Sequence, residues 1–79
     1  MSLCELTEFI IKSIVEDTES VKVEEESTDK TITINVTVNE SDKGKVIGRG
    51  GKVINSIRTI LQESSTINND KYVRLEVNR

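Results

Sequence analysis

The segment GKVIGRGGKVI, residues 44–54, contains all four glycines of this 79-residue chain, and the chain has no proline. Glycine concentrated in this way marks backbone that must bend sharply or lie close to something else. Three lysines and an arginine surround the bend, and Lys43, Lys45, Arg49, Lys52 and Arg58 all fall within sixteen residues that contain no acid. The partner expected at such a bend is therefore an anion.

The total charge of −3 conceals this asymmetry. Residues 1–42 carry three Lys and eleven Asp or Glu, a net −8, whereas residues 43–79 carry eight Lys or Arg and three acids, a net +5. An acidic protein can thus present a basic face. At this length there is room for one small domain, taken as residues 1–79. The longest apolar run is Phe9-Ile10-Ile11, too short to span a membrane, and no basic-then-apolar leader is evident at the start. Cys4 is the sole cysteine, which excludes an internal disulfide and favours a reducing, cytoplasmic setting. Asn35-Val36-Thr37 and Asn39-Glu40-Ser41 match the glycosylation pattern, but without a secretion signal they are read as chance.

Periodicity divides the chain into six elements in the order α-β-β-α-α-β. Leu3, Leu6, Ile10 and Ile14 recur at helical spacing, so residues 3–16 are expected to form an amphipathic helix capped by Ser2, with Phe9 and Val15 widening its apolar stripe. Val21 and Val23 open a strand, and an acidic turn is expected around Glu24 to Lys30. Thr31 to Val38 alternates strictly, with Ile32, Ile34, Val36 and Val38 on one side. Asn39, three positions before Asp42, resembles a helix-opening box. The short helix that follows should end at the glycines, and another should begin near Lys52 on Ile54, Ile57 and Leu61. A polar loop is expected from Glu63 to Asp70, and Tyr72 to Val77 then alternates again.

Spacing rejects two nucleotide motifs. A Walker A loop fails because Gly51-Lys52 is followed by Val53 and Val46 stands five positions before Gly51. A dinucleotide fingerprint fails because Gly48-Arg49-Gly50 requires glycine where Val53 stands. What remains is a G-x-x-G loop between two short helices.

That loop and its flanks, Ile47-Gly48-Arg49-Gly50-Gly51-Lys52-Val53-Ile54, resemble the I-G-x-x-G-x-x-I core of the KH domain family. The element order resembles the type II arrangement of small single-domain bacterial KH proteins, and the likeness covers nearly the whole chain. It implies an α+β type II KH fold, a three-stranded sheet covered on one face by three helices. It also implies an RNA-binding module that clamps about four nucleotides of a single strand. Gly48 and Gly51, lacking Cβ atoms, would let the phosphodiester chain pack on the main chain at a helix N-terminus. Arg49 would fork onto phosphate oxygens, with Lys45 and Lys52 as mobile charges and Gly50 loosening the loop. The bases would lie in a groove between the post-loop helix and a neighbouring strand. Val46, Val53 and Ile57 are its expected floor, with Ile34 or Val36 opposite. If three or four of Lys45, Arg49, Lys52 and Arg58 neutralise phosphates, log K should fall with log salt at a slope of roughly −2 to −3. The likeness puts a small hydroxyl residue at position 53, where this chain has Val53, so one polar contact should be absent.

Little other chemistry is available. With no histidine, the commonest general base and zinc ligand are missing. Cys4 has no nearby base, and Glu24-Glu25-Glu26 alternate sides of a strand and cannot converge on one cation. No enzyme activity, cofactor or metal is expected. Two aromatics, Phe9 and Tyr72, are too few for an RRM stacking platform. The alternative function is a protein-interaction domain that keeps the KH fold for assembly. Apolar residues beyond one helix face, Phe9, Ile11, Val15 and Ile60, suggest a homodimer with Ile60 at its contact. The resemblance also allows a heterodimer with a larger KH-containing partner.

Overall fold

The computed structural model describes residues 2–68 and 70–78. Helix α1, Leu3–Lys12, starts where Ser2 and Glu5 satisfy each other's backbone amides: Glu5 N donates to Ser2 Oγ at 3.1 Å and Ser2 N to Glu5 Oε1 at 2.9 Å. This reciprocal cap removes two of the unpaired amides that every helix start carries. The helix stops earlier than its apolar spacing predicts, and its buried face is rotated by one residue. Leu3, Thr7 and Ile11 face inward, continued by Val15 beyond the helix end, while Leu6, Ile10 and Ile14 flank the core and Phe9 is exposed. Thr7 can occupy a core position because its hydroxyl donates to Leu3 O at 2.7 Å, which satisfies the polar group within the helix.

Strand β1, Lys22–Ser27, continues through the residues read as an acidic turn, and the reversal is confined to Thr28–Lys30 before β2, Thr31–Thr37. There Thr28 N donates to Thr31 O at 2.8 Å. β2 is the central strand, antiparallel to β1 and parallel to β3, Tyr72–Val77. The register puts Val23, Ile34, Val36, Leu75 and Val77 on the helix-covered face and Glu24, Glu26, Thr33, Asn35 and Arg74 on the open face. Glu24 and Glu26 point away from Glu25, as strand alternation requires, and no metal-binding cluster occurs among the described residues.

Helix α2, Glu40–Ile47, and helix α3, Lys52–Asn68, join β2 to β3. α3 absorbs most of the segment expected as a polar loop, because Ser65 is buried with its hydroxyl donating to Lys71 O at 2.8 Å. Gln62 adds two bonds, accepting from Val73 N at 2.9 Å and donating to Lys71 O at 3.0 Å. α3 therefore runs antiparallel to β3 and is stapled to its outer edge, which sets the glycine loop beside the strand's far end. Ile54, Ile57 and Leu61 complete the core as their spacing predicts. The fold is α+β in the order α-β-β-α-α-β. No described helix is long and apolar enough to cross a membrane.

Candidate nucleic-acid interface

Three of the four glycines, Gly48, Gly50 and Gly51, form the connection between α2 and α3, whereas Gly44 lies inside α2 and not at the bend. Gly48 N donates to Gly44 O at 2.9 Å, closing α2, and Gly51 N donates to Gly48 O at 3.1 Å, closing a single 3-10 turn over Arg49–Gly51. Positive φ angles occur at Gly48, Gly50 and Gly51. At Gly48 two constraints coincide. Its φ is +78°, and a Cβ there would meet the Val53 side chain and lie 2.8 Å from Val53 N. Gly50, φ +63°, opens onto free space, so only backbone preference calls for glycine there.

Arg49, Gly50 and Lys52 are exposed on this turn, and Gly48, Gly51 and Val53 are half-exposed beside them. Six of the expected residues are thus brought together where a backbone ligand can reach bare main chain. α3 has no acidic residue in its first turn, so the positive end of its dipole is uncompensated there. Among the described residues neither Arg49 nor Lys52 makes an ion pair or a side-chain hydrogen bond.

Lys45 and Arg58, by contrast, are engaged. Lys45 Nζ lies 2.7 Å from Glu16 Oε1 and 3.8 Å from Asp42 Oδ1, and the Glu16 bond holds its pKa above the ordinary lysine value. Asp42 is buried and accepts from Glu16 N at 3.2 Å and Asp17 N at 3.0 Å. The sequence suggested that Asp42 would help box the start of α2, but Asn39 caps that helix alone, accepting from Ser41 N at 3.0 Å. Asp42 instead ties α2, and with it the glycine turn, to the segment after α1. Nothing in residue spacing marked this tie, because its partners are backbone amides about 25 positions away.

The expected groove floor needs correction. Val46 is fully buried and Ile57 is 3% exposed, and Ile34 and Val36 are equally inaccessible. All four pack the core: Val46 and Ile57 face inward from α2 and α3, and Ile34 and Val36 from the helix-covered face of β2. A groove of about 520 Å³ does lie between α3 and β3, but Ile47, Ile54, Val73, Leu75 and Val77 line it, with Arg58 and Tyr72 at its rim. Sequence reasoning missed these residues because only the parallel β2–β3 pairing brings β3 to the sheet edge beside α3. Arg58 crosses the groove: its Nη2 donates to Leu75 O and its Nη1 to Asn55 Oδ1, each at 3.0 Å.

A basic glycine turn opening onto a groove between α3 and an edge strand is the arrangement expected from the KH likeness. Residues 5–77 match the family model described as KhpA/KhpB, KH domain. The chain belongs to this family. Several KhpA/KhpB family members are closely similar along almost their whole length. RNA-binding protein KhpA of Listeria monocytogenes serovar 1/2a is 37% identical over 73 residues, covering 92% of this chain and 95% of the relative. RNA-binding protein KhpA of Borreliella burgdorferi is 38% identical over 73 residues, covering 92% and 88%. RNA-binding protein KhpA of Chlamydia caviae is 41% identical over 69 residues, covering 87% of each. No solved structure gives a significant match.

Proposed function

We propose that this chain is a non-enzymatic, cytoplasmic module, one KH domain over residues 1–79, that binds single-stranded RNA by its G-x-x-G turn and needs no cofactor. The observation that carries the reading is the pairing of two uncommitted cations, Arg49 and Lys52, with a turn whose main chain is bare. Phosphates pack on the glycines and the α3 N-terminus, and Arg49 supplies the directional fork. The bases fall into the groove between α3 and β3. The names of the KhpA relatives, which describe them as RNA-binding, favour the same reading.

The test is the double variant Arg49→Asp/Gly50→Asp. It sets two carboxylates where phosphates dock, on exposed positions with space around Gly50. The left-handed φ at Gly50 costs the aspartate about 1 kcal/mol, so the protein should remain folded by circular dichroism. RNA affinity should disappear, and a folded variant that binds RNA like the wild type would overturn the assignment.

Assembly is the second reading, favoured by exposed apolar side chains on the helical surface. Phe9 is 66% exposed, Ile60 48% and Ile67 80%. Ile60 and Ile67 lie seven residues apart on α3, so they share a stripe two turns long. A homodimer, or a heterodimer with a larger KH-containing protein, would cover that stripe and set two glycine turns on one particle.

A further inference from the structure

We propose that Arg58 is a base-reading residue, selecting a nucleobase that presents two adjacent hydrogen-bond acceptors on one edge: N3 and O2 of cytosine, or O6 and N7 of guanine. The inference rests on the RNA-binding reading above and assigns the base preference of that same groove.

Three observations carry it. The first is position. Arg58 sits six residues along α3 from Lys52, about 9 Å beyond the turn at the helical rise, and it lines the groove with Ile54, Val73 and Leu75. A phosphodiester chain packed on the glycines leaves Arg58 facing the bases instead of the backbone. The second is pre-organisation. Bonds to Leu75 O and Asn55 Oδ1 hold the guanidinium from two sides, so little side-chain freedom is lost when a base docks. A guanidinium carries five N–H donors and no acceptor. Two are used, and three remain for a ligand.

The third observation concerns the strand edge. In the parallel ladder Tyr72 N donates to Lys30 O and Asn78 N to Val36 O, so alternate residues bond β2. Val73, Leu75 and Val77 therefore turn their main-chain groups outward. Gln62 takes Val73 N–H and Arg58 takes Leu75 O. A neighbouring donor and acceptor from this edge would suit adenine, which shows an acceptor beside its amino donor on either edge. Arg58 on the Leu75 carbonyl closes the donor–acceptor pair of that residue to a base, and what faces the base there is the three remaining N–H groups of the guanidinium. Adenine then brings its amino group against N–H groups, and uracil brings N3–H between its two carbonyls. Cytosine and guanine each offer an unbroken pair of acceptors to the fork, and single strands expose both edges.

The experiment measures fluorescence anisotropy of labelled seven-nucleotide RNAs that differ only in a central pair of C, G, A or U, at one fixed low salt concentration. The wild type should bind the C or the G oligomer at least about fivefold more tightly than those with A or U, the lower end for one bidentate contact. Arg58→Lys keeps the charge and loses the fork, and should bring all four within about twofold of one another. Replacing guanine by 7-deazaguanine, which lacks N7, separates the two acceptor pairs: it removes any guanine preference and leaves a cytosine preference intact. Equal wild-type affinities, or a preference for A or U, would overturn the base assignment alone. A C or G preference that survives Arg58→Lys would overturn the role of Arg58. Failure of every oligomer to bind would overturn the RNA reading and this inference together.

Discussion

Single atoms at the glycine turn decide what the loop tolerates. A methyl group on Gly48 collides with Val53, whose backbone nitrogen is only 2.8 Å from the Cβ position, in a backbone region that L-residues avoid. Gly48→Ala is therefore expected to lower stability by about 3 kcal/mol, combining strain and overlap. Gly50→Ala meets open space at a similar φ and should cost about 1–2 kcal/mol. Urea denaturation of both variants checks the order, and equal losses would mean that Val53 moves aside. The G-x-x-G pattern sets Gly48 apart from Gly50, which stands at a variable position, but it gives no steric reason within the fold. Which one is sterically obligatory follows only from the fold of α3 back over the turn.

At the scale of elements, α2 is held in place by polar groups at its first turn. Asp17 accepts from Ser20 Oγ at 2.6 Å and from Asn39 Nδ2 at 3.0 Å, linking the segment after α1 to the cap of α2. The hydrogen bonds from Ser20, and then from Asn39, hold the Asp17 carboxyl below the ordinary carboxylate value. The folded chain then binds fewer protons than the unfolded chain across that window. Its stabilisation is complete above about pH 4 and is lost as pH falls through the depressed value. The melting temperature should accordingly drop more steeply below about pH 4 in the wild type than in Asp17→Asn, as differential scanning calorimetry would show. The elements themselves were largely legible. The strict alternation of Thr31 to Val38, which β2 follows as far as Thr37, that of Tyr72 to Val77, and the Ile54, Ile57, Leu61 stripe lie where periodicity put them. α1 was misphased because Thr7 looks polar in a sequence and becomes apolar once its hydroxyl is bonded to Leu3 O. The glycine turn could be read because it is local. The groove and the Asp42 tie could not, since both depend on residues that meet only through tertiary packing.

For the whole molecule, the distribution of charge sets the response to salt. Lys45 is occupied by Glu16 and Arg58 by Leu75 O, which leaves Arg49 and Lys52, of the four cations considered, without a side-chain partner among the described residues. Two neutralised phosphates on a single strand correspond to a slope of log K against log salt of about −1.4, shallower than the roughly −2.8 expected for four. A titration series across salt concentrations distinguishes the two, and a flat response would point to contacts with protein instead. Assembly is the other molecular property. Sedimentation at micromolar protein should give twice the chain mass, and Ile60→Asp, by charging the exposed α3 stripe, should shift it toward the monomer. A wild type that remains monomeric would remove the dimer and leave the RNA reading untouched.

The parallel pairing of β2 with β3 joins residues 41 positions apart, Thr31 with Tyr72. The chain between them is α2, the glycine turn and α3, so the candidate site is the connection that closes the sheet. Contacts of such long sequence separation form slowly, because a large loop must be closed before any of them is gained. Under the proposed function, a strand of RNA resting on the turn and on β3 would recognise only chains in which that closure is complete. It would therefore act as a folding ligand, each increment of binding free energy being also an increment in the stability of the β2–β3 half of the sheet.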